Sequence, residues 1–211
     1  MAYTIGIDLT FIKDLKKAVG NEIAALSIVE GLYNNMHGHN FIIFANEDNA
    51  EDLRNRYPLF NVIATTTGRS FYYKFLPWFI KKTEINVMYY PKVEPFINLK
   101  LKTKIVITSH GLIRGQDFFV LDKLRSRMLK NVNTVIAVSD FVKDELTKKK
   151  GVYPKKIVTI PNPLAQMNKS VDVVFKKRHI VAVGSDKPQK NIMLVVRAFE
   201  KLVPIIDHDL V

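Results

Sequence analysis

The chain has 211 residues, 47% hydrophobic and 25% charged, so it can bury a core and does not belong to the intrinsically disordered class. It contains no cysteine, which excludes disulfides, thiolate nucleophiles and cysteine-based zinc sites. The formal net charge of +12 attracts polyanions, but charge alone does not choose among nucleic acid, anionic lipid and phosphorylated small molecules.

The predicted elements alternate in type along the first three quarters of the chain. Short β-branched segments alternate with longer segments of helical periodicity, which is typical of a parallel sheet with crossover helices. Strands are predicted at residues 3–8, 40–44, 60–65, 86–90, 104–108, 134–138 and 156–160. The first long helix is predicted at 20–36, and Ser139 or Asp140 is expected to cap a later one. The fold class is therefore α/β, with a doubly wound, Rossmann-like parallel sheet.

The prolines at 161 and 163 end this pattern and divide the chain. The first domain is predicted at 1–163, a linker at 164–177, and the start of a second Rossmann-like unit at 178–211. A strand at 180–183 opens that unit, a helix follows, and the last residues could begin another strand. Because a strand, a helix and a strand fragment cannot close a sheet, we expect the second domain to be incomplete.

Two further features concern membranes. The N-terminus lacks a basic stretch followed by an apolar run, and no apolar run approaches the roughly 20 residues that span a bilayer, so a cytoplasmic protein is expected. Segment 71–82 is both aromatic and basic. It is either an interfacial patch for anionic lipid or a core-facing helix kinked at Pro77. The patch would consist of Lys74, Trp78, Phe79 and Lys81. No nucleic-acid module accompanies it, so no nucleic-acid partner is expected.

Two glycines and a lysine are candidates for holding a phosphate. The strand predicted at 180–183 leads into Gly184 and Ser185, and Lys190 follows close to the start of a helix. A helix N-terminus beside an ammonium group is an arrangement that binds phosphate. Gly20, at the start of the first long helix, would let backbone N–H groups approach a diphosphate. The alternatives are an ordinary junction glycine and one more surface lysine.

His110 directly follows a predicted parallel strand, at the carboxyl end where open α/β sheets bind ligands. A neutral imidazole there could hydrogen-bond a sugar hydroxyl or the reacting centre. The alternative is a loop histidine without a function.

Four segments, in this order, resemble the retaining nucleotide-sugar glycosyltransferases of the GT-B fold, in the family numbered four. They are residues 5–8 with 19–22 and 38–39, residues 108–111, residues 134–139 with 151–152 and 156–162, and residues 183–191 with 198–199. The resemblance implies an acceptor-binding N-terminal domain, a nucleotide-sugar-binding C-terminal domain, and neither a metal nor a cofactor. It implies that His110 is the catalytic histidine.

The resemblance also implies that Gly20, Gly184, Ser185 and Lys190 bind the donor diphosphate. Ser185 stands where the commonest family form has an arginine, so the charge there would come from Lys190. The family's pair of glutamates, seven residues apart late in the second domain, is missing because the chain ends first.

The implied function is transfer of a hexosyl group from a nucleoside-diphosphate sugar to a glycan or lipid-linked acceptor, with retention of configuration. A peripheral contact with an anionic membrane would suit such an acceptor. The alternative is a non-catalytic binding protein or subunit that presents its basic surface to a polyanion or a protein partner.

Overall fold

The computed structural model describes residues 2–65, 70–93, 103–111, 119–163, 178–184 and 190–211. The chain divides into two compact units, Met1–Gln166 and Met167–Val211. The predicted linker at 164–177 and the candidate Ser185 lie outside the described residues.

The first unit is built on a seven-stranded parallel sheet. Its strands are β1 (Thr4–Asp8), β2 (Asn40–Ala45), β3 (Asn61–Ala64), β4 (Val87–Tyr90), β5 (Lys104–Ser109), β6 (Thr134–Ala137) and β7 (Ile157–Thr159). They lie in the order β3-β2-β1-β4-β5-β6-β7, and every neighbouring pair is parallel. The predicted doubly wound α/β fold is confirmed, and each strand end lies within one residue of its prediction.

The helices of this unit alternate with the strands. They are α1 (Asn21–Asn34), α2 (Glu47–Arg56), α3 (Leu76–Thr83), α4 (Phe119–Asn131) and α5 (Asp140–Lys150), and a π-helical turn, Phe71–Phe75, leads into α3. The direction of travel across the sheet reverses after β3. Because parallel crossovers are right-handed, α1 and α2 cover one face of the sheet and the later helices cover the other.

Two apolar cores follow from the alternation of side chains along the strands. In β2, Phe41 and Ile43 point to the core that α1 and α2 complete with Leu26 and Leu53. Ile42 and Phe44 of the same strand belong to the opposite core, formed with the later helices. Strands buried on both faces explain why the sequence of the sheet is nearly continuously apolar.

An apolar groove, the sheet groove, lies on the α1 side of the sheet. It has a volume of about 450 Å³. Its lining includes Val87, Val106 and Ile136 from β4, β5 and β6, Ile28 and Leu32 from α1, and residues 160–163. Among the described residues, α1 is the one helix that lines it. In the described part of the chain, no other helix covers this part of the sheet, whereas a parallel sheet normally has a second layer on each face.

The aromatic and basic segment 71–82 faces two ways. Its core side carries Phe71, Tyr72, Leu76 and Ile80, all buried. Phe79 is partly buried and packs toward the core, with its ring edge-on to Phe44 at 5.3 Å between centroids, so less of it is available to a lipid surface than the sequence predicted. Lys74, Trp78 and Lys81 are exposed. Pro77 lies in the first turn of α3, directly after the π-helical turn Phe71–Phe75.

The second unit contains β8 (Arg178–Ile180), α6 (Ile192–Leu202) and β9 (His208–Leu210). The two strands are parallel, and β8 begins two residues before its prediction because Arg178 and His179 pair with His208 and Asp209. In the described part of the chain, no helix is both long enough and apolar enough to cross a bilayer.

Candidate functional site

The strand order places a crevice at the carboxyl ends of β1 and β4. These two strands are neighbours, but the chain leaves β1 toward β2 and leaves β4 toward β5. The loops that follow them therefore diverge, and open α/β sheets bind ligands at such a switch point. Asp8 ends β1 and Tyr90 ends β4, so both lie at the base of this crevice.

Asp8 is a carboxylate buried to 1% exposure and surrounded by donors. Its Oδ1 accepts hydrogen bonds from the backbone N–H of Thr10 at 2.9 Å and from the Thr10 hydroxyl at 2.7 Å. Its Oδ2 accepts one from the Tyr72 phenol at 2.8 Å. A buried charge is tolerated when it is hydrogen-bonded in this way. Asp8 thus joins the loop after β1 to the π-helical turn before α3.

Tyr90 lies beside this group, with its ring 6.3 Å from that of Tyr72. Its hydroxyl is buried and hydrogen-bonds to no described residue. Burial, and next the charge of Asp8, raise the pKa of Tyr90 well above its ordinary value. The phenol therefore stays protonated and is a spare donor at the end of β4.

The loop after β1 is anchored before it reaches Gly20. The N–H of Leu9 donates to the Phe44 carbonyl at 2.8 Å, and the Asn49 side chain donates to the Ile12 carbonyl at 2.7 Å. Asn46, the N-cap of α2, donates to the same carbonyl. These bonds hold the loop against β2 and α2, and so they fix where the loop enters α1.

Gly20 is the N-cap residue of α1, as predicted from its place in the sequence. It has φ 53° and ψ −111°, a conformation that favours glycine, and no side chain caps the helix. The first turn can therefore offer backbone N–H groups to an anion. Glu22 lies in the same turn, but its carboxylate accepts a hydrogen bond from the Val19 N–H at 3.2 Å and so is held toward the loop.

His110 lies just beyond β5, at the same edge of the sheet as Gly20. Its Nε2 is 3.0 Å from the Pro91 carbonyl oxygen. Because a carbonyl only accepts, Nε2 carries the proton, and in the neutral ring Nδ1 is an acceptor. Burial lowers the pKa of His110 below its ordinary 6.5; the Pro91 bond acts against this, and the charge of Lys92 adds to it. His110 is therefore neutral at pH 7.

Sequence reasoning missed four residues at this edge. They are Asp8, Tyr72, Tyr90 and Lys92. Lys92 lies in the loop after β4, with its ammonium 5.3 Å from the centroid of the Phe11 ring in the loop after β1. It thus links the two loops across the switch point. The clustering of Tyr89, Tyr90, Pro91 and Lys92 at a predicted strand end was the signal that could have found it.

The remaining predicted residues belong to the second unit. Gly184 precedes α6, and a Cβ at this position would lie 3.0 Å from the end of the Ile192 side chain, so Gly184 lies close to the first turn of α6. Lys190 is exposed and directly precedes Asn191, the N-cap of α6. The structure brings Gly20 and His110 to one sheet edge, and Gly184 and Lys190 to the start of one helix.

Solved structures with this fold are longer than the chain. A glycosyltransferase from Rickettsia africae has a TM-score of 0.67 and 17% identity, and the match covers 99% of this chain and 60% of that one. Anabaena Alr3699/HepE in complex with UDP has a TM-score of 0.68 and 14% identity, with 99% and 61% covered. UDP-GlcNAc 2-epimerase from Methanocaldococcus jannaschii has a TM-score of 0.60 and 14% identity, with 100% and 64% covered. These likenesses show the fold, and the chain spans about three fifths of the first two structures.

A search of curated proteins gave no significant match. The sequence model described as Glycosyltransferase Family 4 matches residues 20–165, which is more than half of the chain. The match covers α1, the sheet from β2 to β7, and both Gly20 and His110. The chain belongs to glycosyltransferase family 4.

Proposed function

We propose that this protein transfers a hexosyl group from a nucleoside-diphosphate sugar to a glycan or lipid-linked acceptor, with retention of configuration. Family membership supports sugar transfer. The observation that carries the proposal is the neutral His110 ring at the carboxyl edge of the sheet, held by the Pro91 carbonyl with Nδ1 left as an acceptor. A neutral imidazole can accept a hydrogen bond from a sugar hydroxyl and orient it.

We assign binding of the donor diphosphate to Gly20, Gly184, Ser185 and Lys190. The exposed Lys190 at the start of α6 supports this assignment. An ammonium and a helix N-terminus together stabilise the negative charge that develops on a departing diphosphate. The Anabaena structures contain UDP or UDP-glucose, which makes UDP the first probe to test.

The donor-site test is a calorimetric titration of the chain with UDP. We expect Lys190→Ala to weaken binding by roughly 10- to 100-fold, the effect of losing one charge-assisted hydrogen bond. Lys201→Ala is the matched control, because Lys201 is an exposed lysine in the last turn of the same helix. Equal affinities for the two variants would remove Lys190 from the donor site.

The second test separates transfer from binding alone. Release of nucleoside diphosphate from a panel of nucleotide-sugars, with and without candidate acceptors, is expected to depend on the acceptor. The anomeric configuration of the product, read by NMR, tests retention. Binding without any turnover across the panel would favour the alternative, a non-catalytic binding protein or subunit. Epimerised sugar without transfer would point to the chemistry named for the Methanocaldococcus neighbour.

A further inference from the structure

Another concave site lies at the amino edge of the sheet, opposite the carboxyl edge that carries Gly20 and His110. It is a cleft of about 940 Å³ between the end of α3 and the beginnings of β1, β4 and β5. Its floor is apolar and includes Ile5, Ile80 and Ile85. Its rim carries two exposed lysines, Lys81 from α3 and Lys104 from β5, together with the exposed carboxylate of Glu84. We call it the amino-edge cleft.

An aromatic and basic stripe leads to this cleft along the outer surface of the π-helical turn and α3. It consists of Lys74, Trp78, Lys81 and Lys82. Trp78 is 57% exposed, and the Lys82 ammonium lies 5.1 Å from the centroid of its ring. An indole ring held at the surface beside an ammonium group has the character of residues at membrane–water interfaces.

The surroundings of the cleft are basic. Helices on this face run antiparallel to the strands, so the lysines in their last turns, such as Lys130 and Lys150, also lie at the amino edge. Complementing the helix dipoles accounts for those lysines. It does not account for Lys104, which begins a strand, nor for the exposure of Trp78.

We propose that the amino-edge cleft binds the headgroup of an anionic phospholipid and so docks the first unit on a bilayer through Trp78. The two rim lysines complement a lipid phosphate, and the apolar floor accepts the upper part of the acyl chains. Glu84 opposes the same phosphate and moderates the affinity. The inference extends the proposed function by placing the acceptor-binding unit at a membrane. Its test needs neither nucleotide nor sugar, so it stands or falls independently.

Trp78 is the single tryptophan of the chain and reports on its own environment. We expect its fluorescence to shift to the blue on titration with phosphatidylcholine vesicles containing about 30% phosphatidylglycerol, because the indole enters a less polar layer. Pure phosphatidylcholine vesicles should leave the spectrum unchanged, since they offer no net charge. A spectrum that anionic vesicles leave unchanged would overturn the proposal.

Two double variants distinguish binding by the cleft from the general attraction of a basic protein to anionic vesicles. Lys81→Gln with Lys104→Gln should lower the partition coefficient about 25-fold, because each lysine near an anionic surface contributes about a factor of 5. Lys13→Gln with Lys16→Gln removes the same charge from exposed lysines at the other edge of the sheet and should change it little. Glu84→Gln should strengthen binding. Equal losses in the two double variants would overturn the proposal.

A further experiment replaces the vesicles with single-stranded RNA as the polyanion. Single-stranded RNA should bind more weakly than the anionic vesicles and should not produce the blue shift. A larger shift and tighter binding with RNA would replace the lipid with a nucleic acid and overturn the proposal. Because Lys81 and Lys104 are exposed, we expect their variants to keep the native circular dichroism spectrum.

Discussion

The Tyr72 phenol donates a hydrogen bond of 2.8 Å to the buried carboxylate of Asp8, a residue 64 positions earlier. The bond connects the end of β1, whose loop leads to Gly20, with the π-helical turn that precedes α3. Turns of this kind recur at functional sites, where one extra residue re-aims a side chain. Here the turn directs Tyr72 to the ligand edge of the sheet, while Lys74 and Trp78 remain at the surface.

Tyr72→Phe removes this donor and leaves the Asp8 carboxylate less well satisfied. We expect the free energy of unfolding to fall by about 1.5–3 kcal/mol, the range for hydrogen bonds to charged groups. Urea denaturation measures the change. Tyr73→Phe is the control, because Tyr73 is the next residue and is 53% exposed. Similar losses in both variants would show that the Tyr72–Asp8 bond adds nothing specific.

His110 should titrate below pH 6.5, because burial, and after it the charge of Lys92, outweigh the bond to Pro91. NMR of the imidazole protons measures this, with His110→Gln used to assign the signal. Lys92→Met removes a neighbouring positive charge and should raise the midpoint. A wild-type midpoint above 6.5 would contradict the lowered pKa of His110.

The lowered pKa of His110 also makes the free energy of unfolding depend on pH. The unfolded chain binds the His110 proton more readily than the folded protein does, so the stability owed to the neutral ring is complete above about pH 6.5. It is lost as the pH falls through the folded pKa. The urea midpoint of the wild type should therefore drop more over this range than that of His110→Gln. Parallel curves would count against this linkage.

Gly6 and Gly31 should respond in opposite directions to alanine. A Cβ at Gly6 would lie 2.7 Å from the Met88 sulfur and 3.2 Å from Phe44, so overpacking should cost about 1–3 kcal/mol. Gly31 lies within α1 with nothing within 4 Å of a new Cβ. There alanine should add about 0.5–1 kcal/mol through helix propensity. Thermal unfolding of the two variants measures both effects, and changes of the same sign would contradict this account.

Ser139 caps α5 by accepting a hydrogen bond from the Val142 N–H at 3.2 Å. Ser139→Ala should lower the free energy of unfolding by about 1 kcal/mol, whereas Ser139→Asp should keep the cap. Urea denaturation of the pair checks this. A loss in both variants would mean that the hydroxyl has another role.

The strands were predictable because their signal is local. The run at 40–44 is apolar because Phe41, Ile42, Ile43 and Phe44 are buried on the two faces of a parallel sheet. The cap at Ser139 was predictable for the same reason. By contrast, β8 begins at Arg178 because its backbone pairs with β9. Backbone pairing of polar residues such as Arg178 and His179 cannot be predicted from an apolar pattern.

The site was less predictable, because it depends on contacts between distant segments. His110 and Gly20 follow or precede predicted elements, so their positions could be inferred. The Asp8–Tyr72–Tyr90 group depends on which side chains the π-helical turn directs inward, and the sequence does not predict this. The same holds for the adjacent residues Trp78 and Phe79. Trp78 is exposed, whereas Phe79 packs against Phe44.

The sheet groove has a consequence for how the protein behaves at high concentration. Its apolar lining attracts any similar surface, including that of another molecule of the same chain. The net charge of +12 opposes such encounters through long-range repulsion. Added salt screens the repulsion and leaves the hydrophobic attraction intact. Colloidal stability should therefore be greatest in dilute buffer, and concentrated salt should favour self-association.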